Sequence, residues 1–397
     1  MKTKIITFKL RSKYHPLLLL AGLMSTLAQG AEPLPLAKLN MPEGFSISIY
    51  AEVPNPRQMA MGDDGVIYVG SLRAGKVHAV RDLDGDAKAD QITLIAEGLS
   101  LPSGVAYRDG DLYVGAINEI LVYRDIQKLL NKNLTEAPAV KEVLTAALPT
   151  DRHHGWKYLE FGPDGYLYIP VGAPCNICEP KAPYASIQRM KVDAGPALLE
   201  PFVEGVRNSV GFDWHPDTGE LWFTDNGRDL LGDDSPPCEL NRVSQSGQHF
   251  GYPFFHGHSL PDPEFSVGRS AADYVEPALA LDPHVAPLGM MFYTGTLLPP
   301  RYHKQILIPE HGSWNRTPTA GHTGHRITVA RIDEQGLMHY EVLVDGWLQD
   351  NVAWGRPADL LQLQDGSVLI SDDTANVIYR LSYIQPQLAE YGAGSPH

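Results

Sequence analysis

The chain has 397 residues, 43% of them hydrophobic and 20% charged, with a formal net charge of −15. That length is enough to bury a large core as one domain or two, and the acidic balance excludes non-specific binding to nucleic acid or to an anionic membrane surface. Glycine (37) and proline (32) are plentiful, which suits many short strands joined by turns.

Residues 1–30 read as a secretory signal. Lys2, Lys4, Lys9, Arg11 and Lys13 make a basic start, an apolar run follows from Pro16 to Leu27, and small residues surround a cleavage point at Ala28-Gln29-Gly30-Ala31. The alternative, an uncleaved membrane anchor, needs a longer apolar run. Cleavage would remove five positive charges and no acids, taking the formal charge from −15 to −20. No later stretch is apolar enough to span a bilayer, so the sequence predicts a periplasmic or secreted protein that is not integral to a membrane.

After a proline-rich leader (31–44), residues 45–53 alternate as a strand. A pattern of strand, tight polar turn, strand, variable loop and strand then recurs. Asp63-Asp64-Gly65 precedes VIYVGS, Asp109-Gly110-Asp111 precedes LYVGA, and Pro163-Asp164-Gly165 precedes YLYIPVG. Pro216-Asp217-Thr218-Gly219 precedes ELWFTD, Arg301-Tyr302-His303-Lys304 precedes QILIPEH, and Gln364-Asp365-Gly366 precedes SVLISDD. Asp-Gly between alternating runs signals a hairpin. A third strand follows each time: KVHAV, EILVY, SIQRMKV, ELNRV, HRITVARI and NVIYRL. Six such units predict an all-β, six-bladed β-propeller over 45–385, with a tail at 386–397. A β-sandwich pair or a β-helix is the competing architecture. The strand at 45–53 would complete the last blade and close the ring. Residues 127–147 would hold a helical turn or an outer strand, and 254–285 the main insertion.

In a propeller blade the first strand starts and the second strand ends at the same face. Loops before first strands and after second strands should therefore crowd one mouth of the central channel. Those loops carry Arg57, His153, His154, Arg207, Asn208, Asn226, Arg228, His284, His311, Asn315, Arg316, Arg356, Asp372 and Asp373. The opposite loops are mostly plain Asp-Gly turns. This asymmetry places a functional site at the first mouth.

Three cysteines are present. In an exported chain Cys175 and Cys178 are expected to form a local disulfide, with a redox-active pair or a metal site as alternatives. Glu179 stands where c-type haem attachment needs histidine. Cys238 is left over as a free thiol. The run Asp82-Leu83-Asp84-Gly85-Asp86, with Asp90 beyond, reads either as a structural calcium loop or as a solvated acidic turn. Its glycine falls at the fourth position rather than the sixth, and Thr93 stands where an EF-hand has glutamate.

An ordered set of motifs spans most of the expected mature chain: His154 ahead of FGPDGYLY, GVRNSVGFDWHP, TDNG followed by ELNRV, PEHGSWNR, and GRPADLLQLQDGSVLISDD. With these the sequence resembles the glucose/sorbosone dehydrogenase family, soluble exported propellers that use pyrroloquinoline quinone (PQQ) and calcium, and its sorbosone-dehydrogenase-like branch in particular. The resemblance implies His154 as general base, with His153 as the fallback. It implies Arg207 and Asn208 as contacts of the quinone oxygens, with Arg207 also stabilising charge during reduction. It implies Arg356 at a cofactor carboxylate, and His311 and Arg316 in the loop that supplies another cationic partner. Calcium would be held by the backbone carbonyls of Gly227 and Arg228, and a structural calcium by Glu239. Phe250 departs from the tyrosine of some relatives at that second site. His153 departs from the aspartate that some relatives have just before the base, and Ala358 from the second arginine of the soluble glucose dehydrogenases; both weaken a transfer of glucose specificity to this chain.

The expected activity is oxidation of a sugar or sugar-derived aldehyde to a lactone or acid. Hydride would go to PQQ, and electrons then to a separate acceptor, a cytochrome or a quinone, because the chain carries no haem motif. Two other readings stand beside it. A metal-dependent lactonase-type hydrolase would need side-chain carboxylates at the channel, with Asp225, Glu310 and Asp372 as candidates. A non-catalytic binding propeller would take up no cofactor.

Overall fold

A computed structural model of the protein describes residues 33–130, 141–193, 198–333 and 338–385. The expected signal peptide and C-terminal tail lie outside these residues. Contacts divide the chain into a unit Met1–Leu34 and a unit Pro35–His397, and every strand belongs to the second.

The strands form a six-bladed β-propeller. Blade 1 comprises Pro56–Met61, Ile67–Ser71, Val77–Arg81 and Gln91–Ala96, and blade 2 Gly104–Arg108, Asp111–Gly115, Ile120–Tyr123 and Lys141–Thr145. Blade 3 comprises Glu160–Phe161, Leu167–Val171, Ser186–Met190 and Glu200–Glu204, and blade 4 Gly211–Trp214, Leu221–Asp225, Pro237–Val243 and Leu279–Pro283. Blade 5 comprises Met291–Phe292, Ile306–Glu310, Arg326–Ile332 and Met338–Val344. Blade 6 takes Pro357–Gln362, Val368–Asp372 and Val377–Tyr383 from the end of the chain, and its outermost strand, Phe45–Glu52, from the beginning. That antiparallel pairing closes the ring, as the alternating run at 45–53 predicts.

The local chemistry explains the repeat. At Asp109-Gly110 both residues have positive φ, 53° and 87°, and the flanking Arg108 and Asp111 pair directly. This two-residue turn has the twist that continues a right-handed hairpin, which aspartate tolerates and glycine adopts freely. Second strands are buried on both faces because they lie between neighbours within the blade and between adjacent blades. Equivalent positions carry Tyr68, Tyr113, Tyr168, Trp222, Leu307 and Leu369, all buried, so the core consists of successive inter-blade layers.

For 127–147, where a helical turn or an outer strand is expected, the structure has each of the two: a short helix Ile126–Leu130 and the outer strand Lys141–Thr145. The blade 4 insertion reaches its neighbour: Gln248–His249 pairs in parallel with Glu200–Glu204 of blade 3. A small hairpin, Phe255–His256 with Leu260–Pro261, follows.

Side chains join the blades around the channel. Gln58 Oε1 accepts the Val105 and Leu159 N–H groups at 2.9 and 2.8 Å, linking blade 1 to blades 2 and 3. Asp213 Oδ2 accepts Phe292 N–H of blade 5 at 2.8 Å, and Thr224 Oγ1 donates to Leu288 O at 2.6 Å. Asp359 Oδ2 accepts Met59 N–H at 2.8 Å and so joins blade 6 to blade 1.

Burial pushes the Asp359 carboxyl up to about 7. A folded-state value above the unfolded one makes ionisation oppose folding, so the stability tied to Asp359 is present below about pH 4 and is lost as pH rises through 7. Asp359→Asn keeps the acceptor for Met59 and cannot ionise. Its melting temperature relative to wild type should rise by a few degrees between pH 5 and pH 8. A difference independent of pH in calorimetric scans would show that Asp359 does not titrate in that window.

Candidate active site

One mouth of the channel opens into a cavity of about 420 Å³. Its walls come from the two loop classes that the topology brings together. Arg57 begins the first strand of blade 1, and Arg73 follows its second strand. His154 and Trp156 precede blade 3, while Arg207 and Asn208 precede blade 4. Asn226, Gly227 and Asp229 follow the second strand of blade 4, His311, Trp314 and Asn315 that of blade 5, and Arg356 precedes blade 6.

His154 is buried, at 7% exposure. Its Nδ1 lies 2.9 Å from the Ala173 carbonyl, which only accepts, so Nδ1 carries the hydrogen and Nε2 keeps its lone pair. Trp156 stands edge-on at 6.0 Å and confines the ring. Burial, together with Arg207 and His153, lowers the imidazole pKa to about 2, so this is a neutral base. The backbone at His154 is left-handed, φ 51°, and tucks its Cβ against Gly172, where an added Cβ would lie only 2.6 Å away. Glycine is required there for the imidazole to take its place.

Arg207 and Asn208 are held by the carboxylate of Asp225 behind them. Asp225 Oδ2 accepts Arg207 N–H at 2.8 Å and Oδ1 accepts Asn208 N–H at 2.6 Å. The two residues therefore follow the end of the neighbouring strand Leu221–Asp225, which is why an Arg-Asn pair stands opposite an Asp-Asn-Gly run. Among the described residues, the side-chain amide of Asn208 has no protein partner, and it lines the cavity.

Opposite His154 the wall is cationic. Arg57 Nε donates to Asp373 Oδ2 at 2.8 Å, and His311 Nε2 lies 2.9 Å from Asp373 Oδ1. Burial opposes ionisation of Asp373, but Arg57 and His311 outweigh it and hold the carboxyl well below the usual range. Arg356 Nη2 donates to the Ser313 carbonyl at 2.8 Å. Burial, and to a lesser degree Arg57 and Arg73, lowers its pKa. Arg57, Arg73 and Arg356 all line the cavity, but of the three only Arg57 pairs with Asp373, and the remaining guanidinium donors suit a ligand with several carboxylates.

Other sequence-predicted residues are placed elsewhere. The Arg228 side chain turns away from the cavity and pairs with buried Asp262, which also lies 3.0 Å from His256 Nε2. Glu239 accepts the Gly257 N–H at 2.7 Å and Asn241 Nδ2 at 3.1 Å, and so faces the insertion. Arg316 donates to the carbonyls of Gly321 and Asp233, and His153 is exposed. Gly227 lines the cavity, and no donor among the described residues claims the Gly227 or Arg228 carbonyl. Arg73, Asp229 and Trp314 were not singled out from the sequence, although each follows a second strand and so obeys the rule that locates the site. Cys175 and Cys178 form a disulfide, and Cys238 is free and buried. In the acidic turn, one oxygen each of Asp82, Asp84 and Asp86 lie within 4.8 Å of one another, and each carboxylate also accepts a backbone N–H of the turn.

The sequence profile described as Glucose / Sorbosone dehydrogenase matches residues 122–310. An uncharacterized protein of Borreliella burgdorferi is 32% identical over 383 residues, 94% of this chain and 98% of that one. The chain belongs to the glucose/sorbosone dehydrogenase family. The fold of this family member is that of the Trichoderma reesei carbohydrate-active enzyme of family AA12, with a TM-score of 0.73 at 19% identity, covering 87% of this chain and 98% of that one. It is also that of the PQQ domain of Coprinopsis cinerea pyranose dehydrogenase in its holo form, with a TM-score of 0.71 at 16% identity, covering 87% and 97%. Among the described residues no helix is long and apolar enough to cross a membrane.

The Arg228–Asp262 pair makes a structural claim about this family member. Asp262→Ala leaves the guanidinium buried without a counter-charge and should cost about 3–5 kcal/mol in urea unfolding. A loss near zero would mean that the pair is not what holds the insertion to blade 4.

Proposed function

We propose that the protein is an exported quinoprotein dehydrogenase that oxidises a sugar or sugar-derived aldehyde to a lactone or acid, with a sorbosone-like substrate the closest fit to its motifs. The observation that carries this reading is one cavity with a neutral histidine on one wall and an excess of arginines on the other. A planar tricarboxylated quinone fits that chemistry and a cavity of about 420 Å³. PQQ, when bound, supplies the hydride acceptor.

The chain's own residues do the rest. His154 Nε2 takes the proton from the substrate hydroxyl as hydride leaves the adjacent carbon. Arg207 and the Asn208 amide orient the quinone oxygens, and Arg207 stabilises negative charge that develops there. Arg57, Arg73 and Arg356, with His311, hold the carboxylates. The Gly227 and Arg228 carbonyls and Asp229 offer hard oxygen donors suited to calcium, which would fix the cofactor in place. The Arg228 side chain takes no part, because Asp262 holds it. Electrons leave to a separate acceptor. A hydrolase would instead need free carboxylates at this mouth. Asp225, Glu310 and Asp372 are committed to Arg207 and Asn208, to Arg326, and to Thr374 and Ala375.

Purified protein mixed with calcium and PQQ, then with a panel of aldoses, aldehydes and a dye acceptor, should reduce the dye. If the protein takes up no quinone, the proposal falls; lactone hydrolysis without quinone would favour the hydrolase. His154→Ala should lower turnover by roughly 10²–10⁴-fold while quinone uptake persists. Because the imidazole is held neutral, kcat/KM should show no loss of base between pH 7 and pH 5. An acid limb centred near 6.5 would point to an ordinary, solvated histidine instead. Arg356→Ala should weaken quinone binding by about tenfold or more in a direct titration.

A further inference from the structure

Arg207 has five guanidinium N–H donors, and the protein engages four of them. Nε donates to the Asn176 backbone carbonyl at 2.8 Å. Nη2 donates to Asn176 Oδ1 at 2.9 Å and to Asp229 Oδ2 at 3.0 Å. Nη1 donates to the Asn226 carbonyl at 3.2 Å. One N–H, on Nη1, remains for the cavity. Two of the four contacts come from one residue, Asn176, which lies outside the cavity wall.

Asn176 sits inside the loop closed by the Cys175–Cys178 disulfide. The loop is also tied from outside. The Tyr252 hydroxyl accepts the Cys178 N–H at 3.2 Å, and Tyr252 N–H donates to the Gly205 carbonyl at 3.0 Å, two residues before Arg207. Asn176 further accepts Asp229 N–H on Oδ1 at 2.8 Å and donates Nδ2 to the Asp229 carbonyl at 3.0 Å. The same amide therefore fixes Arg207 and the residue that shares its Nη2.

We infer that Asn176, presented by the disulfide-closed loop, is the positioning residue for Arg207 and directs its one remaining N–H into the cavity. A guanidinium on a long side chain is aimed only if its other donors are engaged, and a loop that spans just two residues between its cysteines holds a carbonyl and an amide in fixed relation once it is cross-linked. The disulfide thus acts on the site through Asn176. The consequence for cofactor binding rests on the quinone reading above; the holding of Arg207 does not.

Two measurements test the inference separately. In the cofactor-free protein, solvent exchange of the Arg207 Nε–H, followed by ¹⁵N NMR, reports whether the Asn176 carbonyl holds it. Cys175→Ser/Cys178→Ser should raise that rate by about tenfold or more, and an unchanged rate overturns the inference. In a PQQ titration, Asn176→Ala should weaken binding by about tenfold with little change in melting temperature. In an Arg207→Ala background the same substitution should have a much smaller effect, the remainder coming from its hold on Asp229. Wild-type affinity in Asn176→Ala, or effects that simply multiply, overturns the inference. If the wild-type protein takes up no quinone, the functional reading fails, while the exchange rates still decide whether Asn176 holds Arg207.

Discussion

The structure depends on how the inner edge of each blade is completed. A first strand pairs with the second on one side only, so its other edge presents N–H and C=O groups to the channel, where unpaired groups are costly. Side chains from neighbouring blades supply the partners: Gln58 for blades 2 and 3, Asp213 and Thr224 toward blade 5, Asp359 for blade 1. The same contacts that satisfy the backbone set the spacing between blades. The loops that build the cavity are carried on this ring, so the geometry around His154 and Arg207 inherits its rigidity.

Charge is distributed along the channel in opposite senses. Toward the turn end lie Glu160, Asp213 and Asp359, each with its carboxyl pushed up by burial. At the loop end lie Arg57, Arg73, Arg207 and Arg356. A buried carboxylate that serves as a backbone acceptor tolerates protonation, because one oxygen remains free to accept. An arginine does not give up its proton. The carboxylate end can therefore become neutral as its surroundings require, while the loop end keeps its positive charge and favours anionic groups.

Much of this was legible in the sequence, and the limits are physical. The Asp-Gly turns and alternating runs specify hairpins locally, so six blades, ring closure and the mouth at which the polar loops meet follow from spacing alone. Which way a long side chain points is a non-local matter. Arg228 adjoins Gly227 at the cavity, yet its direction is set by Asp262, a residue 34 positions away that reaches it only through the insertion. Arg316 is diverted in the same way by Asp233 and Gly321. Arg73 was recoverable, since it lies two residues after a second strand, but no motif marks it. Asn176 carries no signal of its own; only the folded loop shows that both its carbonyl and its amide face Arg207.

Ring closure by Phe45–Glu52 has a temporal side. This strand is among the first parts of the propeller to be synthesised, and its partner, Val377–Tyr383, is the last strand. Contacts of such long sequence separation are the slow step in assembling a β-fold. Asp373, which joins Arg57 of blade 1 to His311 of blade 5, lies in that final stretch. The arginine-rich half of the cavity therefore lacks the carboxylate that joins Arg57 to His311 until the last blade is made. A chain that stops before Asp373 would carry His154, Arg207 and the arginines of the other wall, but not the carboxylate that ties Arg57 to His311. The joint that closes the ring is thus also the one that completes the cationic wall.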